Sequence, residues 1–177
     1  MFKVAQLIVE TAVHKMKRMV RYWDKAGTGG GGAYTVGTKM GLGFDGRFCV
    51  LDVVRGQWEA NERERIIRQT AEIDGAGVTV GIEQEPGSGG KESAQASVRN
   101  LAGFRVRVDR PTGDKTMRAD PFAVQVNGGN VAILRGAWNR DYIDELQFFP
   151  FSTYKDQVDS SSGAFSLLLR SRRLGAM

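Results

Sequence analysis

The hydrophobic pattern changes period along the chain. Three β-prone runs come first: Met19-Val20-Arg21-Tyr22-Trp23-Asp24, then residues 33–40, then residues 47–55 beyond the turn Phe44-Asp45-Gly46. Runs of this length joined by glycine turns predict an antiparallel meander. Residues 59–73 switch to helical spacing, with Ile66, Thr70 and Ile73 recurring and Arg and Glu on the other face. Gly75 and Gly77 predict the end of that helix. Residues 78–82 read as a fourth strand, closed by Glu83-Gln84-Glu85-Pro86-Gly87. A second helix over 91–102 places Ala94, Val98 and Leu101 on one face. Phe104-Arg105-Val106-Arg107-Val108 alternates with period two, as a half-buried strand does. Residues 130–134 predict a short strand, and Trp138, Tyr142, Leu146 and Phe149 a third helix. The last helix starts near Tyr154 and carries Val158, Phe165 and Leu169. Residues 1–18 read as a lead-in, 19–170 as the folded domain and 171–177 as a frayed basic tail. This order predicts a single α/β domain, a mixed β-sheet flanked by helices.

Composition narrows the chemistry. The 177 residues suffice for one domain with a core, and 41% hydrophobic with 25% charged residues is ordinary for a globular chain. A net charge of +5 favours polyanionic partners. Cys49 is the single cysteine, set in an apolar run, so it predicts a buried thiol and a reducing compartment. One histidine, His14, excludes any site built on two imidazoles. A metal here must therefore sit on oxygen ligands. No run approaches the ~20 apolar residues of a membrane span, and a cytoplasmic protein is expected.

Acids stand out by position. Asp24 ends the first clear strand, and Glu83 and Glu85 end the fourth on alternate positions. Asp156 and Asp159 are three apart in the first turns of the last helix and share a face. If the first and fourth strands are neighbours, these carboxylates converge at one sheet edge. Such a group is electrostatically costly unless hard divalent cations neutralise it. Two such ions ~4 Å apart are suited to phosphodiester hydrolysis. On spacing alone each acid is equally well read as a solvated strand end or a helix N-terminal residue.

Several motifs occur in a fixed order: Arg21-Tyr22-Trp23-Asp24-Lys25-Ala26-Gly27-Thr28, Ile82-Glu83-Gln84-Glu85-Pro86-Gly87-Ser88-Gly89-Gly90-Lys91 and Lys155-Asp156-Gln157-Val158-Asp159. Arg135-Gly136-Ala137-Trp138-Asn139 and Phe148-Phe149-Pro150 lie between the last two. Together they resemble the C-terminal nuclease domain of tailed-bacteriophage large terminases, over roughly residues 21 to 169. The resemblance implies a ribonuclease H-like fold that cuts double-stranded viral DNA during genome packaging, using an acidic triad and Mg²⁺ or Mn²⁺, two ions in all. It assigns Asp24, Glu85 and Asp156 as catalytic, with Glu83 the rival of Glu85 and Asp159 an auxiliary ligand. Tyr154-Lys155-Asp156 departs from the family's frequent His-Asp-Asp, losing a ligand and gaining a cation. Large terminases also carry an N-terminal ATPase that this chain lacks, which implies an excised domain or a split or shortened gene product. Implied partners are duplex DNA, a terminase ATPase, a small terminase subunit and a portal, in the host cytoplasm. The rivals are a Holliday-junction resolvase or transposase-type nuclease on the same fold, and a non-catalytic DNA-binding or motor-docking module.

The strand, glycine loop and helix over residues 82–91 also resemble a phosphate loop, which requires Gly, four residues, then Gly-Lys-Ser/Thr. Here Glu85 takes the first glycine's place and Glu92 follows Lys91, which argues against ATP binding by this loop. The glycine-rich stretch 27–32 reads as a flexible turn beside Asp24. Lys91, Arg105, Arg107, Lys115 and Arg118, the last two expected in a loop, are candidate phosphate contacts that position a duplex without reading its sequence. Trp23, Trp58 and Trp138 read as core residues.

Overall fold

The computed structural model describes residues 1–27 and 32–174, with side chains as far as Arg170. Most of the glycine-rich turn, residues 28–31, and the tail residues 175–177 lie outside the described residues. Among the described residues seven strands form one sheet: β1 (Ile8–Glu10), β2 (Met16–Asp24), β3 (Thr35–Gly43), β4 (Phe48–Gly56), β5 (Val78–Glu83), β6 (Val106–Asp109) and β7 (Val131–Leu134). Their order is β1-β7-β4-β3-β2-β5-β6. Five helices connect and cover them: α1 (Ala60–Asp74), α2 (Ser88–Asn100), α3 (Lys115–Asn127), α4 (Asn139–Phe148) and α5 (Asp156–Leu174).

The meander is as expected, with β2, β3 and β4 antiparallel. The remaining pairings are parallel, and β2 lies beside β5 with Trp23 opposite Ile82. The condition for convergence of the acids, first strand next to fourth, is thus met. Successive side chains of β2 face opposite cores. Val20 and Tyr22 join Phe122, Leu146, Val158 and Phe165 beneath α3, α4 and α5. Trp23 joins Ile67, Ile82, Ala94 and Leu101 beneath α1 and α2. Each such aliphatic chain removed from water stabilises the fold by roughly 1.5–3 kcal/mol. Asp24, two residues after Tyr22, therefore belongs to the α5 side.

Several expectations are corrected. Lys115 and Arg118 are not in a loop but in the first turn of α3, whose N-cap Asp114 accepts a hydrogen bond from the Met117 N–H at 2.9 Å. On α1 the inward face is Arg63, Ile67, Thr70 and Ala71, while Ile73 is 85% exposed. On α2, Ser97 rather than Val98 is buried. The inward polar groups have a task. Arg63 donates to the Ala26 carbonyl at 2.9 Å, and the Lys25 ammonium reaches the Ser93 carbonyl and the Ser93 and Ser97 hydroxyls. These contacts anchor the chain just after Asp24. The lead-in contributes β1, paired with β7, to the sheet and the buried Phe2 to the core beneath α3, α4 and α5. At the other end, α5 runs to Leu174, and Arg170 pairs with Asp109 at 3.1 Å. Among the described residues no helix is long and apolar enough to cross a membrane.

Candidate metal centre

The first turn of α5 lies across the ends of β2 and β3 because its N-terminal half is small and polar. The Ser160 hydroxyl donates to the Tyr22 carbonyl at 2.7 Å and accepts from the Thr38 N–H at 3.1 Å. Gly163 sits directly on the Tyr22 ring, where a Cβ would come within 2.2 Å of Cε1. From the other side α4 supplies Glu145, which is 6% exposed. Its carboxylate accepts from the Val158 N–H at 2.9 Å and from the Gln157 amide at 2.8 Å. Glu145 thereby satisfies one of the orphan N–H groups at the helix start. Tyr142 adds a hydroxyl contact to Ser161 at 2.8 Å.

This packing brings Asp24, Asp156 and Asp159 together. One oxygen of each lies within 4.8 Å of the others, and all three side chains are buried. Glu83, half-buried at the end of β5, stands alongside, since the β2–β5 register carries Asp24 to its level. The Tyr34 N–H donates to Oδ2 of Asp156 at 2.9 Å. Two cations from α3 face the acids: Lys115 pairs with Asp159, and Arg118 reaches Glu83 at 3.5 Å.

Electrostatics follow from burial and crowding. Burial first, then Glu83, Asp159 and Asp156, hold Asp24 well above the ordinary carboxylate range, against the pull of Lys115. Burial likewise raises Glu83 and Asp159, opposed by Arg118 and Lys115 respectively. Burial pushes Glu145 up to about 7, with the Gln157 and Val158 donors resisting. A set of hard oxygen donors this crowded fits a hard divalent cation, which offsets the burial and the mutual repulsion of Asp24, Glu83 and Asp159.

The expected site residues divide into two groups. Asp24, Asp156, Asp159 and Glu83 come together. Glu85 does not: it is exposed beyond the strand end, and the charge it acts on is Lys25, on the other side of β2. The loop holding it folds back, so that a Cβ at Gly90 would lie 2.0 Å from the Glu85 carbonyl oxygen. Lys91, Arg105 and Arg107 are exposed, whereas Lys115 and Arg118 are engaged with the acids. Cys49 is buried, and burial pushes its thiol up to about 11. The pattern did not reveal Glu145 or the Tyr34 N–H. An acid within the apolar stripe Tyr142, Leu146 and Phe149 is the signal that marks Glu145.

The sequence profile of the terminase RNaseH-like domain family matches residues 21–167, and the chain belongs to that family. Its fold is that of solved terminase nucleases. The large terminase nuclease of thermophilic phage G20c, with bound zinc, is 16% identical with a TM-score of 0.66, covering 92% of this chain and 95% of that one. The human cytomegalovirus terminase nuclease domain, manganese-soaked and inhibitor-bound, is 13% identical with a TM-score of 0.59, covering 86% and 83%. The fowlpox virus resolvase in complex with Holliday-junction DNA is 11% identical with a TM-score of 0.56, covering 86% and 98%. No curated protein sequence matches the chain.

Proposed function

We propose that this chain is a metal-dependent endonuclease that hydrolyses double-stranded DNA, with little sequence preference, during viral genome packaging in the host cytoplasm. The observation that carries this reading is the meeting of Asp24, Asp156 and Asp159 within 4.8 Å in a chain of the terminase RNaseH-like family. Relatives of the same fold have been solved with zinc, magnesium and cobalt, and after a manganese soak.

Asp24, Asp156 and Asp159 are the residues that would hold Mg²⁺ or Mn²⁺, with Glu83 as a fourth carboxylate in the role the resemblance gives to Glu85. Four acids carry enough negative charge for two divalent ions, as in two-metal phosphodiester hydrolysis. When bound, the cation neutralises charge on the phosphodiester and lowers the pKa of the attacking water. The chain supplies the frame. The Tyr34 N–H occupies one oxygen of Asp156 and so fixes the carboxylate's orientation. Lys115 and Arg118 balance the acids and stand beside the position a phosphate would take. Lys91, Arg105 and Arg107, all exposed, are proposed to hold the duplex backbone. A terminase ATPase, a small terminase subunit and a portal are the partners this role requires.

Supercoiled plasmid is expected to be nicked and then linearised in Mn²⁺, with EDTA stopping the reaction. Asp24→Asn is expected to reduce cutting to background while its circular dichroism stays that of the wild type. Undiminished cutting by that variant would remove the mechanism. Cleavage of four-way junctions alone would move the assignment to a resolvase. Salt-dependent DNA binding without cutting would indicate a non-catalytic module.

A further inference from the structure

A cleft of about 390 Å³ begins at Asp159 and runs along α5, between that helix, α3 and the turn after β6. Its volume lies within the ~300–1,000 Å³ of small-molecule sites. The α5 wall carries the small side chains Ser162 and Ser166 one turn apart, so a ligand can approach the helix closely there.

The lining combines cations with apolar surface. Arg118 makes one long contact, 3.5 Å to Glu83, and its buried Nε has no hydrogen-bond partner among the described residues. Donors of its guanidinium therefore remain for an anion. Arg170, half-exposed, lies across the cleft on Asp109, whose other oxygen accepts from the Tyr22 hydroxyl at 2.7 Å. Arg110 stands exposed at the rim. Pro111, Pro121 and Leu169 give the apolar wall. Guanidinium donors beside a flat apolar surface complement a phosphate attached to a sugar and base.

We infer that this cleft seats the nucleotide adjoining the scissile phosphodiester, its phosphate on Arg118 and Arg170 and its sugar and base against Leu169 and Pro111. The inference rests on the nuclease reading, since Asp159 is the wall shared by the cleft and the carboxylate cluster.

The test is titration of the full chain with 5′-phosphorylated dithymidylate in EDTA, followed by amide NMR. Shifts are expected at Thr112, Ser162, Gly163, Ser166 and Leu169. Ser166 is exposed, so Ser166→Glu is expected to fold while placing a carboxylate in the cleft. It is expected to weaken dinucleotide binding by about tenfold or more and to raise the KM for plasmid. Its thermal shift with Mn²⁺ is expected to match the wild type's. Arg170→Gln is expected to weaken the dinucleotide in the same direction. The cleft assignment fails if the dinucleotide leaves those amides unmoved, or if Ser166→Glu binds it as tightly as the wild type. Dinucleotide binding that Ser166→Glu abolishes, in a chain that never cuts plasmid, would uphold the cleft and overturn the cleavage reading alone.

Discussion

Glu145 is a carboxylate placed where the helix pattern calls for an apolar residue, and its surroundings explain why it is tolerated. It is buried, yet both oxygens accept hydrogen bonds, one from the Val158 N–H and one from Gln157. Burial pushes it up to about 7 from its ordinary value of 4.5. The folded chain therefore holds this proton more tightly than the unfolded chain. Stability linked to the group is complete below about pH 4.5 and declines as pH rises to about 7, by roughly 3 kcal/mol in all. Glu145→Gln cannot ionise, so urea unfolding is expected to favour the variant increasingly across that window. A wild-type-minus-variant difference that stays flat with pH would contradict this account. A second acid shows where strand parity stops informing. Glu83 and Glu85 sit two apart, which places them on one side of a continuing strand. The strand ends at Glu83, the Gln84 N–H donates to the Asp109 carbonyl at 2.7 Å, and the chain then turns through Pro86 and Gly87. Beyond that point alternation no longer applies, and Glu85 leaves the cluster.

The contact between α5 and β2 decides whether the acids meet at all. The Tyr22 ring is held between Gly81 and Gly163, where an added Cβ would approach to 2.7 Å and 2.2 Å, and its hydroxyl is tied to Asp109. Gly163→Ala improves helix propensity by ~1 kcal/mol. The ring is fully buried and cannot withdraw, however, so overpacking is expected to dominate at about 1–3 kcal/mol of net destabilisation. Guanidinium unfolding measures it, and a neutral or stabilised variant would show that α5 is free to lift. Because lifting α5 moves Asp156 and Asp159 away from Asp24, the same variant is expected to bind Mn²⁺ more weakly. The meander, the β5 strand and the start of α5 were legible because glycine turns and clear periodicity bound them. Helix α3 was not. Pro121 lies inside it and Lys115 and Arg118 stand in its first turn, which masks the stripe of Ala119, Phe122, Ala123 and Val126. Asp114 followed by that stripe is the capping signal that identifies the helix.

Across the molecule, the cluster joins residues brought from β2, β5 and α5, so its electrostatics bear on the stability of the whole fold. Asp24, Glu83 and Asp159 all stand above the ordinary carboxylate range, burial being the largest cause for each. Without a cation, the folded chain keeps protons that the unfolded chain releases. Its stability is therefore expected to fall as pH rises out of the ordinary carboxylate range and through these raised values. Asp24→Asn removes the most crowded charge and is expected to raise metal-free stability by ~1–3 kcal/mol, or about 2–4 °C per kcal/mol at this length. Mn²⁺ acts in the opposite sense, because it must displace the retained protons, so its affinity is expected to grow with pH over the same window. At a hundred times its Kd it is expected to stabilise the wild type by ~2.7 kcal/mol. Thermal unfolding with and without Mn²⁺, from about pH 5.5 to about pH 8, separates the two contributions. The wild type is expected to lose stability with pH and regain it with Mn²⁺, whereas Asp24→Asn starts higher and does not respond. A metal-free Asp24→Asn that unfolds below the wild type, or an equal Mn²⁺ shift in both proteins, would mean that these carboxylates are not held together for a cation.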